Sequence, residues 1–161
     1  MKRIALLLRR YPWLVTGSYG VWRRFQARYS VGAVGIIMNT RQQVLLVEHA
    51  FHPKAPWGLP GGWVGRNEDP ADTVRREIQE EMQLTVKVGQ VILVEVPYQN
   101  HLDLAYLCQM QSDIGQLSFE LLNYDWFDTN ALPRLMPFHY RAIMHMSQLV
   151  SQMEFSTWLQ D

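Results

Sequence analysis

The sequence predicts a mixed α/β domain, and three observations lead there. Four apolar runs have strand length and are bounded by turn residues: residues 31–38 (VGAVGIIM), 44–48 (VLLVE), 90–96 (QVILVEV) and 102–110. Between the second and third of them lies one capped, amphipathic helix beginning at Pro70. The stretch 137–153 is again apolar at helical spacing, through Phe138, Ile143, Met144 and Val150.

Ahead of the first strand, residues 1–29 carry Lys2, Arg3, Arg9, Arg10, Arg23, Arg24 and Arg28 and no acid, although the 161-residue chain is neutral as a whole. Ile4, Leu7, Leu8, Tyr11 and Leu14 form a helical apolar stripe, so 1–29 is expected to be a basic amphipathic segment outside the main domain. Packing on the domain or on a second subunit of a homodimer is one role open to it. Weak contact with an anionic membrane surface and contact with nucleic acid are the others, with no stable nucleic-acid partner expected. The apolar run 4–8 is too short for a signal-peptide core or a membrane span. The single cysteine, Cys108, excludes an intrachain disulfide and suits a reducing compartment, so a cytoplasmic protein is expected, with Cys108 a buried structural thiol.

In the strand 31–38, Gly32 and Gly35 suggest a bulge or a close approach to the sheet. Residues 39–42 supply turn chemistry, and 49–57 (HAFHPKAPW) form a loop in which His49, His52 and Lys54 are candidates to meet a phosphate or a base. No histidine pairing suits zinc. Two adjacent glycines, Gly61 and Gly62, then allow a backbone shape closed to other residues and a close approach to main-chain atoms.

Asp69 is the N-cap of the helix and Pro70 its first residue. Ala71, Val74, Ile78 and Met82 give the apolar face, while Glu77, Glu80 and Glu81 project from another. Like charges at this spacing cost about 0.2–0.5 kcal/mol per pair. A divalent cation would convert the repulsion into binding, and hard carboxylate oxygens suit Mg²⁺ or Mn²⁺; a solvated acidic face is the alternative.

Read from Gly62, the order is glycine, five residues, Glu68, seven residues, Arg76-Glu77, Ile78, Gln79, Glu80-Glu81, Met82, Gln83, Leu84. This pattern closely resembles the signature of the Nudix hydrolases, with Gln83 in place of the family's glycine. A left-handed conformation costs a glutamine on the order of 1 kcal/mol, so either Gln83 bears that strain or the helix ends differently, and an adjusted end is expected.

The resemblance implies the Nudix fold, a mixed β-sheet between helices, over residues 30–161. It implies a Mg²⁺-dependent hydrolase (Mn²⁺ as the alternative ion) cleaving the pyrophosphate of a nucleoside diphosphate linked to another group, such as a sugar. A nucleoside triphosphate pyrophosphohydrolase clearing damaged nucleotides is the second reading, and a non-catalytic nucleotide-binding module the third. Glu77, Glu80, Glu81 and the Gly62 carbonyl become the candidate metal ligands. Glu68 supports the helix, Arg76 braces the carboxylates, and Glu120 is the preferred distant general base, ahead of Asp125 and Glu95. Trp57, Trp63 and Tyr98 are candidates to stack a base, with core packing the alternative for each.

Beyond the helix, residues 85–88 and 90–96 are expected as two strands, and 90–96 and 102–110 as a hairpin across the turn 97–101. A loop at 113–118 leads to 119–127, which carries Glu120 and Asp125 ahead of another short strand.

Overall fold

The structure is a computed structural model that describes Tyr19 and residues 22–152. Most of the segment 1–29 lies outside the described residues. Among those that are described, the strands are β1 (Ser30–Ile37), β2 (Gln43–His49), β3 (Trp57–Gly58), β4 (Gly61–Trp63), β5 (Val86–Glu95), β6 (His101–Met110) and β7 (Leu121–Asp128). Helix α1 (Pro70–Met82) follows β4, and α2 (Pro137–Gln152) ends the described chain.

One sheet is mixed and has the order β4-β1-β6-β5, with β1 and β6 parallel at its centre and the outer pairs antiparallel. A second, antiparallel sheet has the order β3-β2-β7. The two-residue periodicity of the strands sorts their side chains between the helices. Ala33, Ile37, Leu45, Val47, Tyr106 and Cys108 pack with Val74, Ile78 and Met82 of α1. The alternate residues Val34, Ile36, Val44, Leu46, Ala105 and Leu107 pack with Phe138, Ala142, Ile143 and Met146 of α2. The strands are apolar on both faces because both faces are covered, which is why their sequences are runs rather than alternations.

The structure corrects the sequence reading in three places and decides between two alternatives in another. Residues 85–88 and 90–96 are not two strands but the single β5, which pairs with β6 throughout and absorbs Gly89-Gln90 in register shifts between Val88 and Leu93. Asp125 does not precede a strand but lies within β7. The pairing of β1 with β6 runs without interruption, so Gly32 and Gly35 mark close approach rather than a bulge; a Cβ on Gly35 would lie 2.8 Å from Ile78 Cδ1.

The third correction is the end of α1. Asp69 caps its start as expected, accepting from the Ala71 N–H at 2.8 Å. At the other end Gln83 itself takes the left-handed conformation, φ 51° and ψ 32°, and donates its N–H to the Gln79 carbonyl at 3.0 Å. The loop 111–118 makes this tolerable. Gly115 N–H donates to the Met82 carbonyl at 2.9 Å and Ser118 N–H to the Glu81 carbonyl at 2.8 Å, satisfying helix-end acceptors. Gly115 lies against Gln83, where a Cβ would come within 2.7 Å of the Gln83 Cβ. The glycine missing from the helix end thus has a counterpart in the loop that covers it.

Replacing Gln83 with glycine removes the left-handed strain and should raise stability by about 0.5–1 kcal/mol. Denaturant unfolding of Q83G against the parent protein measures this; an unchanged or lower midpoint would show that the Gln83 side chain contributes more than its strain costs.

Candidate active site

The site is built where β4, the edge of the mixed sheet, is pressed onto α1. Gly61 has φ +144°, and a Cβ there would strike the Ala33 carbonyl oxygen at 2.3 Å, so no side chain fits. Its N–H points to α1 and donates to Glu81 Oε2 at 3.3 Å. A Cβ on Gly62 would lie 2.5 Å from the Glu77 carboxyl carbon. The double glycine therefore brings bare backbone against two of the predicted carboxylates.

Arg76 occupies the middle of the acidic group. Its Nε and Nη2 donate to the two Glu68 oxygens at 2.8 and 3.1 Å, and Nη1 donates to Glu77 Oε1 at 2.8 Å and Glu80 Oε2 at 3.3 Å. Glu68 also accepts from the Gly65 N–H at 2.8 Å. Hydrogen bonds from Arg76 first, and from Gly65 second, lower the Glu68 carboxyl to about 2. Hydrogen bonds to Glu68 first, and then to Glu77, raise Arg76 above its ordinary value.

Glu81 is different. It is 6% exposed, and no basic side chain pairs with it among the described residues. Burial pushes its carboxyl up to about 8, with repulsion from Glu77, Glu120 and Glu80 adding to the rise and the Gly61 N–H opposing it. The three helix glutamates are thus not one solvated face: Glu80 is exposed, Glu77 is half-buried against Arg76 and Glu81 is interior.

No three His, Cys, Asp or Glu side chains among the described residues already surround a common point for a metal. The donor set nevertheless fits a hard divalent cation. It offers carboxylate oxygens beside bare glycine backbone, and a buried carboxyl whose ionised form a cation would favour, its N–H partner Gly61 being distant.

Glu120 stands near Glu81, held by the loop that covers the end of α1: Ala50 N–H donates to its carbonyl at 2.9 Å, and its own N–H donates to Ser118 Oγ at 3.3 Å. The other two acids are occupied elsewhere. Glu95 forms a two-toothed ion pair with Arg141 at 2.5–3.0 Å, and Asp125 is exposed and accepts from the Trp126 N–H at 2.7 Å. Cys108 is buried, which pushes its thiol up to about 12.

A cavity of about 170 Å³ opens on the other face of β4. At the Gly58 end stand His49, His52 and His139; the Leu59 N–H donates to His139 Nδ1 at 3.0 Å, so its proton sits on Nε2. Burial, with smaller contributions from neighbouring histidines, lowers His49 and His139 to about 4, leaving both neutral near pH 7. At the Trp63 end stand Trp63, Tyr98, His101 and Asp103. Trp57 lines the cavity while packing edge-on to Phe127 at 4.9 Å, and Lys54 is an exposed loop residue.

Sequence reading missed His101, Asp103 and His139. The first two had a signal: polar residues two apart at the start of an apolar strand share the face that Ala105 and Leu107 bury. His139 had none, since only the fold brings the first turn of α2 to Gly58.

Two sheets between two helices, with a carboxylate-bearing helix against a double-glycine edge and a cavity across that edge, define an α/β domain with an acidic site at the rim of its mixed sheet. The NUDIX domain family matches residues 28–146, and the chain belongs to that family. It is 30% identical over 118 residues to the NAD-capped RNA hydrolase NudC of Erwinia tasmaniensis, covering 70% of this chain and 44% of the relative. It is 26% identical over 117 residues to the human nucleoside diphosphate-linked moiety X motif 6, covering 67% and 37%. The chain thus spans less than half the length of these curated relatives. The crystal structure of an ADP-ribose pyrophosphatase from Streptococcus suis shares the fold, with TM-score 0.61 and 22% identity over 74% of this chain and 92% of that one. Among the described residues no helix is long and apolar enough to cross a membrane.

The Glu81 carboxyl carries a pH prediction. Its pKa is raised from 4.5 to about 8 on folding, so the unfolded chain loses the proton first as pH rises. Metal-free protein should lose stability between about pH 4.5 and 8 on this account, and Glu81→Gln should flatten that slope and raise the thermal midpoint at pH 8. Melting curves in chelator across that range test it; parallel curves for the two proteins would contradict the burial of Glu81.

Proposed function

We propose that this protein is a Mg²⁺-dependent pyrophosphohydrolase acting on a nucleoside diphosphate linked to a second group. The observation that carries this reading is the pairing of a buried, cation-free glutamate at the double-glycine edge with a two-ended cavity on the other side of the same short strand. A substrate with a group on each side of its pyrophosphate suits the two ends better than a triphosphate, which has one. Names among the relatives, an NAD-capped RNA hydrolase and an ADP-ribose pyrophosphatase, describe substrates of that two-headed kind.

Glu77, Glu80, Glu81 and the Gly62 carbonyl would hold the cation, with Mn²⁺ able to substitute. When bound, the cation supplies charge neutralisation at the phosphate oxygens. The chain does the rest. Arg76 fixes Glu77 and Glu80 relative to one another, and Glu68, tied to both Arg76 and Gly65, anchors that guanidinium to the loop before α1. Arg76 is a positioning residue, its donors being spent on carboxylates. Glu120, an exposed acid whose charge acts on Glu81, would be the base that accepts a proton from an attacking water.

Glu80→Gln and Glu81→Gln should each stay folded and lose at least about 100-fold in rate, as do other enzymes deprived of an electrostatic catalytic group. The assay is a panel of nucleotide sugars, dinucleotides and triphosphates with Mg²⁺ or Mn²⁺, following the products. Two monophosphate products support the reading, and inorganic pyrophosphate from a triphosphate supports a triphosphate pyrophosphohydrolase instead. Near-parental turnover in both variants would remove the site assignment, and ligand binding without turnover over the whole panel would remove the enzyme.

A further inference from the structure

The Trp63 end of the cavity has an organisation of its own. Three adjacent strands set Trp63, Gly32 and Asp103 in one row, Gly32 pairing with Trp63 on β4 and with Asp103 on β6. Residues in such a row project from the same face. Having no side chain, Gly32 lets the Asp103 carboxylate lie over it; a Cβ there would come within 2.4 Å of Asp103 Oδ1. His101, two residues before Asp103 and on the same face, is 4% exposed. Its ring stacks under Tyr98 at 4.4 Å and 13° and meets Trp63 at 4.9 Å and 59°.

His101 is also an orienting device. Nδ1 lies 2.9 Å from Ser30 Oγ and Nε2 lies 2.8 Å from Asp103 Oδ1; since a carboxylate accepts, Nε2–H donates. One oxygen of Asp103 is thereby pinned, the carboxylate lines the cavity, and no lysine or arginine among the described residues pairs with it. Trp63 and Tyr98 meanwhile stay more than half exposed at the cavity rim. Flat aromatic surface beside a fixed, acceptor-only group calls for a planar ligand whose edge carries N–H donors.

We propose that Trp63, Tyr98, His101 and Asp103 form a nucleobase subsite that selects guanine. Guanine offers N1–H and its 2-amino group side by side, two parallel donors for one carboxylate. Adenine and cytosine each place a ring-nitrogen acceptor beside the amino group, and the uracil N3–H is flanked by two carbonyl oxygens; Asp103 repels each of these acceptors. Hypoxanthine keeps N1–H but lacks the second donor. The substrate class becomes guanosine diphosphate linked to a second group, an assignment that rests on the hydrolase reading above. The base lies on the α2 side of β4 and the pyrophosphate on the α1 side.

The test compares one sugar linked to GDP, IDP, XDP, ADP or UDP in Mg²⁺-dependent hydrolysis. Alongside it, calorimetry measures binding of GMP, IMP, XMP and AMP to the same 161-residue chain without metal. Guanine should lead hypoxanthine and adenine by about tenfold or more in both measurements. Asp103→Asn should lose the guanine preference and gain about tenfold for xanthine, because the carboxamide accepts from N1–H and donates to the 2-oxo group. Trp63→Ala should weaken all bases alike, by about tenfold, and leave their ratios unchanged. An equal loss for every base in Asp103→Asn would reduce Asp103 to a brace for His101, and a parental preference for adenine or uracil would overturn the subsite. If D103N does not fold by circular dichroism, the ranking of bases by the parental protein decides. Guanine-ranked binding without any turnover would keep the subsite and remove the hydrolase; turnover without a base ranking would do the reverse.

Discussion

The structure depends on the contact between the Gly61–Gly62 edge and Glu81 of α1. Burying a carboxylate with one long N–H contact is unfavourable, and the helix that carries it would swing outward if the carboxylate were its only interaction. It is held by the adjacent stripe. Val74, Ile78 and Met82 are fully buried against β1, β2 and β6, and each such side chain contributes about 1.5–3 kcal/mol. Glu81 lies one helical turn from Ile78 and beside Met82, so docking the apolar stripe carries it into the margin of the core. The hydrophobic face stabilises the fold, and the acid beside it is strained by that docking.

The charges around this contact are unevenly satisfied. Four glutamates, Glu68, Glu77, Glu80 and Glu81, share one guanidinium, and Arg76 spends its donors on the first three. The remaining acid is the buried one. An exposed cluster would be relieved by water and salt, but an interior carboxylate is screened much less. The loop 111–118 tightens the arrangement from the other side: it satisfies the carbonyls of Glu81 and Met82, and leads directly to Glu120. Closing the helix end and delivering a further carboxylate are one structural act, and the added charge acts on Glu81 together with those of Glu77 and Glu80.

Much of this was legible in the sequence because it is local. The cap at Asp69, the stripe from Ala71 to Met82, the strand-length runs and the terminal helix each follow from periodicity within a dozen residues, and the helix begins and turns where those signals put it. What was not legible is set by distant partners. Gln83 can be left-handed because Gly115 makes room for it. The unequal burial of Glu77, Glu80 and Glu81 is imposed by β4, for helical spacing alone treats them as neighbours on one face. The pairing of β1 with β6 rather than with β2, and with it the division into two sheets, depends on parallel register across some seventy residues of intervening chain. His101 and Asp103 left a trace, two polar residues on the buried face of an apolar strand, but a trace without a partner in the sequence to give it meaning.

The shortness of β4 then has a consequence for how selectivity and chemistry are divided. Its three residues alternate: Gly62 faces the glutamates of α1, while Trp63 faces the cavity on the α2 side. Because β4 is the sheet edge, the proposed substrate would fold around it, with its phosphates on one face and its base on the other. Side chains on the α2 face can therefore change without moving a carboxylate on the α1 face, since bare glycine backbone is what connects them. A base-reading pocket on this side can be rebuilt around a fixed centre on the other, and the residues that choose the substrate need not resemble those of any relative that shares the acidic helix.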